Sequence, residues 1–365
     1  MLQSPDIHEA PQAFSYESAA ARSLQLRPED INLVNEDRFT STDRPARFLY
    51  GFTEPSGQEA GFFKMSRPEN SAQLIRESVG LTIAQSIGIP TVRILHPFQT
   101  TPEGNGILHV ERLDGETGTI LTSSELIAAA DPRYGARAAL AFLRAGGRII
   151  PIDIDSSLLK RGDWRNESSE TFWKVWGEQN GVVFSPENAE LVDRLIGTEK
   201  LRKIVDQTRT EIEPEIAART NPDAEYFVHN DAAPNNTFFS DTEDEVLFLD
   251  FEHAAASHNL TLAQLTDLGN YYGRLWPNPE MQQQFLTAYI EQSTADSVDY
   301  NYKLLKATVV FGAMYLAKYA MKSDNGEHPM AVSLLKNLAG NLSILDKQYN
   351  IRKARNSTEP KNEST

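Results

Sequence analysis

The sequence predicts an α+β protein of two lobes, with a small antiparallel sheet in the N-terminal lobe and a larger, mainly helical C-terminal lobe. Three observations predict this. Short strand-like runs separated by turn-rich segments fill residues 31 to 66. Helical patterns dominate after Gly115. One hairpin-like stretch, "FVHNDAAPNNTFFSDTEDEVLFLDFEH" from Phe227, interrupts those helices with a cluster of short polar side chains. At 365 residues, 40% of them hydrophobic, the chain can bury two cores more readily than one.

Residues 1 to about 25 read as a flexible N-terminal segment, and 26–114 as the small lobe. Its strands are "INLVNEDRF", "ARFLYGF" and "AGFFKMS", separated by "TSTDRP" and "TEPSGQE". Such turn-rich separators make a meander. A helix follows from Pro68 or Ser71 to near Gly88, where Gly, Ile89 and Pro90 form a stop signal. Two further strands are "TVRILHPF" and "GILHVERL".

The helical lobe spans 115–350. "SSELIAAADPRYGARAALAFLRAGG" has helical composition. Ser185, before Pro186 and Glu187, reads as the N-cap of a helix to about Ile196. "TEKLRKIVDQTRTEIEPEIAART" reads as another helix, and residues 260–292, 297–321 and 327–349 add more. Thr237–Phe239 and Val246–Leu249 flank the acidic turn "SDTEDE", which is a hairpin signal. The polar residues from 351 to 365 read as a disordered tail.

Charge and composition bound the chemistry. There are 35 basic and 51 acidic residues, a formal charge of −16. That balance argues against nucleic-acid and anionic-membrane partners, which need basic surface. The chain has no cysteine, so disulfides, thiolate zinc sites and cysteine nucleophiles are excluded. "MLQSPDIHEAPQ" has no basic n-region or apolar h-region, so the expectation is a cytoplasmic protein. The apolar run Ala307 to Ala317 falls well short of the roughly 20 residues that span a bilayer and reads as a buried helix.

The hairpin carries the candidate chemistry. His229, Asp231 and Asn236 fit H-x-D-x4-N, and Asp250 ends the returning strand. A hairpin brings its ends together, so Asn236 and Asp250 should be close. A carboxylate and an amide oxygen beside a second carboxylate make a hard oxygen site suited to magnesium. Asp231 would then be placed to take a proton from a substrate hydroxyl. A loop whose Asn and Asp side chains merely cap their own backbone fits the same residues.

In the small lobe, Lys64 sits on the strand "GFFKMS", and Glu77 interrupts the helix stripe Leu74, Leu81, Ala84. A strand lysine alone often just snorkels. A glutamate in an apolar stripe wants a partner, and Lys64 is the nearest in sequence. Such a pair is a poor stabiliser because desolvation offsets its attraction; its use would be to aim the ammonium. Lys64, Glu77, His229, Asp231, Asn236 and Asp250 together match the parts of phosphoryl transfer: a phosphate-binding lysine, its positioning acid, a base and two metal ligands.

On "FFKMS", "RESVGL", "ILHVERLDGE", "FVHNDAAPNN", "LFLDFEHA" and "LTDLGNYYGRLW", the chain resembles the aminoglycoside phosphotransferase and choline kinase group, a branch of the two-lobed protein-kinase-like fold. The resemblance covers residues 30 to 290 and implies specific roles. Asp231 is the catalytic base or hydroxyl orienter. Asn236 and Asp250 bind Mg2+. Lys64 contacts the α- and β-phosphates of ATP and pairs with Glu77. His229 braces the loop, as does Asp267. The connector offers adenine its backbone at Glu111 and Leu113.

Three departures stand out. Asn230 occupies a position where the family commonly has glycine, and Asn tolerates left-handed backbone. "TSTDRP" has no glycine, leaving phosphate contact there to Ser41, Thr42 and backbone amides. Asp250 is followed by Phe251-Glu252 rather than Phe-Gly, and no Ala-Pro-Glu segment follows, which fits small-molecule kinases better than protein kinases.

His253 and His258 lack metal-site spacing. The "DID" at 153–155 and Trp164, Trp173 and Trp176 read either as pocket-shaping residues or as helix-packing aromatics and a solvated turn. The expected activity is ATP- and magnesium-dependent phosphorylation of a small-molecule hydroxyl, with acidity tilting the acceptor towards an amine-bearing alcohol or amino sugar. The alternative is a nucleotide-binding sensor or scaffold of the same fold without transfer.

Overall fold

Alternation sets the first sheet. In the strand carrying Lys64, Phe63 and Met65 are buried while Phe62 and Lys64 are half-buried, the period of two expected of a strand. That strand, β3 (Glu59–Ser66), lies between β2 (Arg47–Thr53) and β5 (Gly106–Val110), with β1 (Asn32–Asn35) and β4 (Ile94–Thr100) at the edges. Every pairing is antiparallel. The computed structural model describes residues 32–35, 47–53, 59–66, 68, 71–101, 104–113, 118–159, 169–242, 245–323 and 328–358. Ser41, Thr42, Trp164, the expected flexible segment 1–25 and residues 359–365 lie outside the described residues.

Helix α1 (Ser71–Ser86) ends as the sequence predicts. Gly88 adopts φ 73°, and the amides of Gly88 and Ile89 bond back to the carbonyls of Gln85 and Ala84. This left-handed closure is what a glycine past the last turn provides.

By compactness the chain divides into two units, one from residues 1–78 and 93–112, the other from 79–92 and 113–365. The contiguous lobes expected from sequence do not anticipate the assignment of 79–92. Its cause is packing within the second unit. A Cβ on Gly80 would lie 2.8 Å from the Phe251 Cβ, and Thr91 Oγ1 donates to the Phe248 carbonyl at 2.7 Å.

The second unit is mainly helical: α2 (Ser124–Ala129), α3 (Arg133–Ala145), α4 (Ser169–Val183), α5 (Ala189–Leu195), α6 (Thr198–Ala218), α7 (Leu260–Arg274), α8 (Pro279–Glu291), α9 (Val298–Ser323) and α10 (Pro329–Thr358). The stretch expected as one helical region at 123–147 breaks at Pro132, and 260–292 breaks where Asn278 caps α8 ahead of Pro279. Ser185 does not cap α5. Its amide still bonds to the Val182 carbonyl, so it closes α4, and Asn188 holds the N-cap position.

The expected tail is corrected as well. Helix α10 continues to Thr358, because residues past 350 present a docking face to α9 and the turn before it. Arg352 Nε donates to the Ser293 carbonyl at 3.1 Å and Lys353 pairs with Asp299 at 3.2 Å. Helix α9 holds the apolar run noted in the sequence. Val298–Lys322 is long and apolar enough to cross a membrane, yet 78% of its most apolar window is buried in the fold.

The hairpin β8 (Thr237–Ser240) and β9 (Val246–Phe248) forms where expected. Two additions were not predicted. Strand β6 (Gly118–Ile120) makes the hairpin three-stranded, and β7 (Tyr226–Val228) pairs with β10 (Ala255–Ser257). These segments are too short for a period to register, and "AAS" in β10 has little intrinsic strand preference. Long-range pairing makes them strands. On α4, Trp173 and Trp176 pack with Phe172, and Trp176 stacks on Phe311 of α9 with centroids 5.7 Å apart. That is helix packing, the blander of their two readings.

Candidate active site

The register of the hairpin sets the site. Thr237 pairs with Phe248, and the Leu249 amide donates to the Asn236 carbonyl at 2.9 Å. Asp250 is therefore one residue past the partner of Asn236. The Pro234–Asn236 segment forms a short 3-10 turn that buries Asn236 just ahead of β8.

Asn236 clamps Asp231. Its Nδ2 donates to the Asp231 carbonyl at 2.9 Å and to Asp231 Oδ2 at 3.1 Å. Both partners are acceptors, so the amide nitrogen must face them. The Oδ1 end then points elsewhere, taking a 3.0 Å hydrogen bond from Asn235 Nδ2 and retaining acceptor capacity for a cation. Asp250 adopts φ 58°. A non-glycine residue in the left-handed region is uncommon and belongs where surrounding structure fixes it.

His229 ties these two segments together. Its Nε2 lies 2.8 Å from the Leu249 carbonyl. A carbonyl can only accept, so Nε2 carries the proton. Nδ1 is then an acceptor, and the Asp231 amide lies 3.4 Å from it. The buried ring packs on Phe251 with centroids 4.6 Å apart. One imidazole thus braces the carbonyl next to Asp250 and the amide of Asp231.

Helix α7 holds the loop backbone from the other side. Asp267 Oδ2 accepts from the His229 amide at 3.0 Å, and its Oδ1 from the Asn230 amide at 2.8 Å. Asn270 Nδ2 donates to the Asn230 carbonyl at 3.1 Å. One turn further, Arg274 Nη2 lies 3.0 Å from Asp231 Oδ1. Asp267, Asn270 and Arg274 are spaced i, i+3, i+7 and share a helix face. Asn230 itself sits at φ 69°, the backbone that glycine adopts without cost and Asn tolerates. Burial pushes the Tyr271 and Tyr272 phenols far up, so neither adds a charge here.

A cavity of about 40 Å³ lies behind the loop, lined in part by Phe227, His229, Phe248, Phe251 and Asp267. It is far below the roughly 300 Å³ of a small-molecule pocket, and neither Asp231 nor Asp250 lines it.

In the first unit, Lys64 Nζ pairs with Glu77 Oε1, and Glu77 is buried to 1% exposure while Lys64 keeps 21%. The expected pair forms, with its cationic end the more accessible. Glu111 pairs with Arg93 at 2.6 Å, and its amide donates to the Arg93 carbonyl at 2.9 Å. What Glu111 can offer an adenine is its carbonyl. Leu113, half-buried, opens the second unit's main segment. His253 lies 3.2 Å from Glu252, and His258 bonds to the Ala224 carbonyl. Among the described residues no group of three or more His, Cys, Asp or Glu is placed to hold a metal. Asp250 and the Asn236 side-chain oxygen Oδ1 are the residues that could hold Mg2+, which takes one or two carboxylates and completes its shell with phosphates and water.

Arg274 and Asn270 are the site residues that the sequence reading missed. Their signal was present as a polar i, i+3, i+7 stripe in "LTDLGNYYGRLW".

No family model matches the chain, and no curated protein matches it. The chain is similar to solved structures of two kinds. A choline/ethanolamine kinase family protein from Mesorhizobium loti is 14% identical over 93% of this chain and 98% of its own, with a TM-score of 0.46. A choline kinase from Cryptosporidium parvum is 13% identical over 94% and 98%, with a TM-score of 0.45. An aminoglycoside phosphotransferase from Streptomyces rimosus is 13% identical over 81% and 99%, with a TM-score of 0.39.

Proposed function

We propose that the protein is a phosphotransferase that moves the γ-phosphoryl group of ATP, with Mg2+, to a hydroxyl of a small molecule. The observation that carries this reading is the clamp of Asn236 on Asp231, set by a hairpin register that also delivers Asp250. A surface turn that only capped itself would not need a helix from elsewhere in the chain to hold its backbone.

Asp231 receives the acceptor hydroxyl and takes its proton as the oxygen bonds to the γ-phosphorus. Asp250 and Asn236 Oδ1 hold the metal. Mg2+ held there would offset the charge that develops on the transferred phosphoryl group. Lys64, aimed by Glu77, takes the α- and β-phosphates. The Glu111 carbonyl and Leu113 backbone serve adenine, and Ser41 and Thr42 the phosphates. Most of the rate gain comes from positioning and charge stabilisation.

The test is Mg-ATP consumption over a panel of hydroxyl compounds, with two variants. Asp231→Asn is expected to lower turnover by about 10²–10⁴-fold, the usual worth of a general base, while Mg-ATP still binds. Asp250→Ala is expected to abolish magnesium-dependent nucleotide binding in a titration. Undiminished turnover in Asp231→Asn would overturn the mechanism. Tight Mg-ATP binding without turnover on any acceptor would instead favour a nucleotide sensor.

A further inference from the structure

The charge beside Asp231 is positive. Arg274 is 37% exposed, and Asp231 Oδ1 at 3.0 Å is its ion-pair partner. Among the described residues, Arg274 has no other hydrogen bond or ion pair from its side chain. A guanidinium has five N–H donors in a rigid fork suited to carboxylates and phosphates. Most of this fork is unused, at the one carboxylate assigned to receive the acceptor.

Arg274 is not needed to hold the loop. Asp267 and Asn270 already fix the backbone of His229 and Asn230. Asn236 already fixes the Asp231 carbonyl and its Oδ2. What Arg274 adds is a cation on Oδ1, the remaining oxygen. Left in place, that cation competes with a hydroxyl for the same oxygen. An acceptor carrying its own anion gives the guanidinium a second carboxylate-like partner and releases Oδ1.

We propose that Arg274 selects the acceptor: it binds a carboxylate or phosphate group that lies a few bonds from the hydroxyl received by Asp231. The substrate class is hydroxy acids or phosphorylated alcohols rather than amine-bearing alcohols. This rests on the phosphotransferase reading and names the acceptor of that site. Transfer then balances simply. The acceptor oxygen bonds to the γ-phosphorus, the bond from that phosphorus to the β–γ bridging oxygen breaks, ADP leaves, and the acceptor proton goes to Asp231. The net charge of −16 describes the whole surface. The local cation decides what binds next to Asp231, because interactions between groups in contact are screened far less than distant ones.

The experiment pairs acceptors that differ in one anionic group: glycerate with glycerol, and glucose 6-phosphate with glucose. Ethanolamine and choline are the cationic arm. Calorimetric binding to the full chain, in the presence of magnesium and a non-hydrolysable ATP analogue, is measured beside turnover. The expected result is at least tenfold tighter binding of one anionic member over its neutral counterpart. The glycerate and glucose 6-phosphate arms separate carboxylate from phosphate recognition. Arg274→Gln should remove that preference, raising the anionic acceptor's KM at least tenfold with a smaller effect on kcat. Arg274→Lys should restore part of it. A purely structural arginine would instead lower kcat for every acceptor alike. The proposal is overturned if neither anionic compound binds better than its neutral partner, if ethanolamine or choline is preferred, or if Arg274→Gln leaves the preference intact. Failure to bind Mg-nucleotide at all would count against the phosphotransferase reading itself, and the binary binding of the anions to the wild type and Arg274→Gln would still decide the role of Arg274.

Discussion

At the residue scale, the least ordinary positions are Asn230 and Asp250, the two described non-glycine residues with positive φ, at 69° and 58°. Asn230 precedes the assigned base, and Asp250 is itself an assigned metal ligand. An L-residue with a Cβ and no compensating polar group pays roughly 1–2 kcal/mol in this region. Asn230→Ala is therefore expected to lower unfolding stability by about 1 kcal/mol, whereas Asn230→Gly should stay within about 0.5 kcal/mol of the native chain. Denaturant melts of both variants check this, and equal losses would mean that the Asn230 side chain, not its backbone, is what matters. The position was legible in the sequence as the place where the resembled family has glycine. The roles of Asp231 and Asn236 were suggested by spacing and that of His229 by the resemblance, but neither could say that Asn236 reaches Asp231, or which His229 nitrogen faces the Leu249 carbonyl. Those follow from which oxygens lie opposite.

At the element scale, α7 has two working faces. Asp267, Asn270 and Arg274 face the loop, while Gly269 and Gly273 let α9 approach. A Cβ on Gly312 of α9 would sit 2.7 Å from the Gly269 carbonyl oxygen. That oxygen is backbone and cannot rotate away. Gly312→Ala is expected to cost about 1–3 kcal/mol by overpacking and to lower turnover by shifting α7 under the loop. Gly340 of α10 has nothing within 4 Å of a Cβ, so Gly340→Ala should stabilise by about 0.5–1 kcal/mol through helix preference alone. Thermal melts of the pair, with kcat for Gly312→Ala, test both. The long helices, the hairpin and the stop at Gly88 could be read from periodicity and punctuation. Strands β6, β7 and β10 could not, because their pairing partners lie far off in sequence. The stripe on α7 was visible, and the resemblance gave Asp267 the loop to brace, but the contacts of Asn270 and Arg274 with that loop could not be read.

At the scale of the whole molecule, the formal charge of −16 sets how the fold meets acid. Glu215 on α6 is held below the usual carboxylate range. Its burial alone would raise it, and this is outweighed by Lys303 of α9 and by Arg219. Asp299 is lowered by the Tyr349 hydroxyl and by Lys353, which dock α10. A depressed folded pKa contributes stability that is fully present above the unfolded value, about 4.3 for Glu and 3.9 for Asp. It is lost as pH falls through the folded value. Stability measured by denaturant midpoint should thus hold from neutrality to about pH 5 on the account of these two groups and fall below about pH 4. Glu215→Gln should flatten that acid limb, and an unchanged limb would remove Glu215 from the account.

The grip of α7 on the loop also fixes an order of events during synthesis. His229 to Asn236 leaves the ribosome before α7, and the hairpin can pair as soon as Phe248 follows. The backbone of His229 and Asn230 is not set until Asp267 and Asn270 arrive. Helix α7 is not seated until Gly312 of α9 packs beneath it. A nascent chain stalled before α9 would carry every residue assigned to catalysis and metal binding while lacking the helix that packs against the Gly269 face of α7.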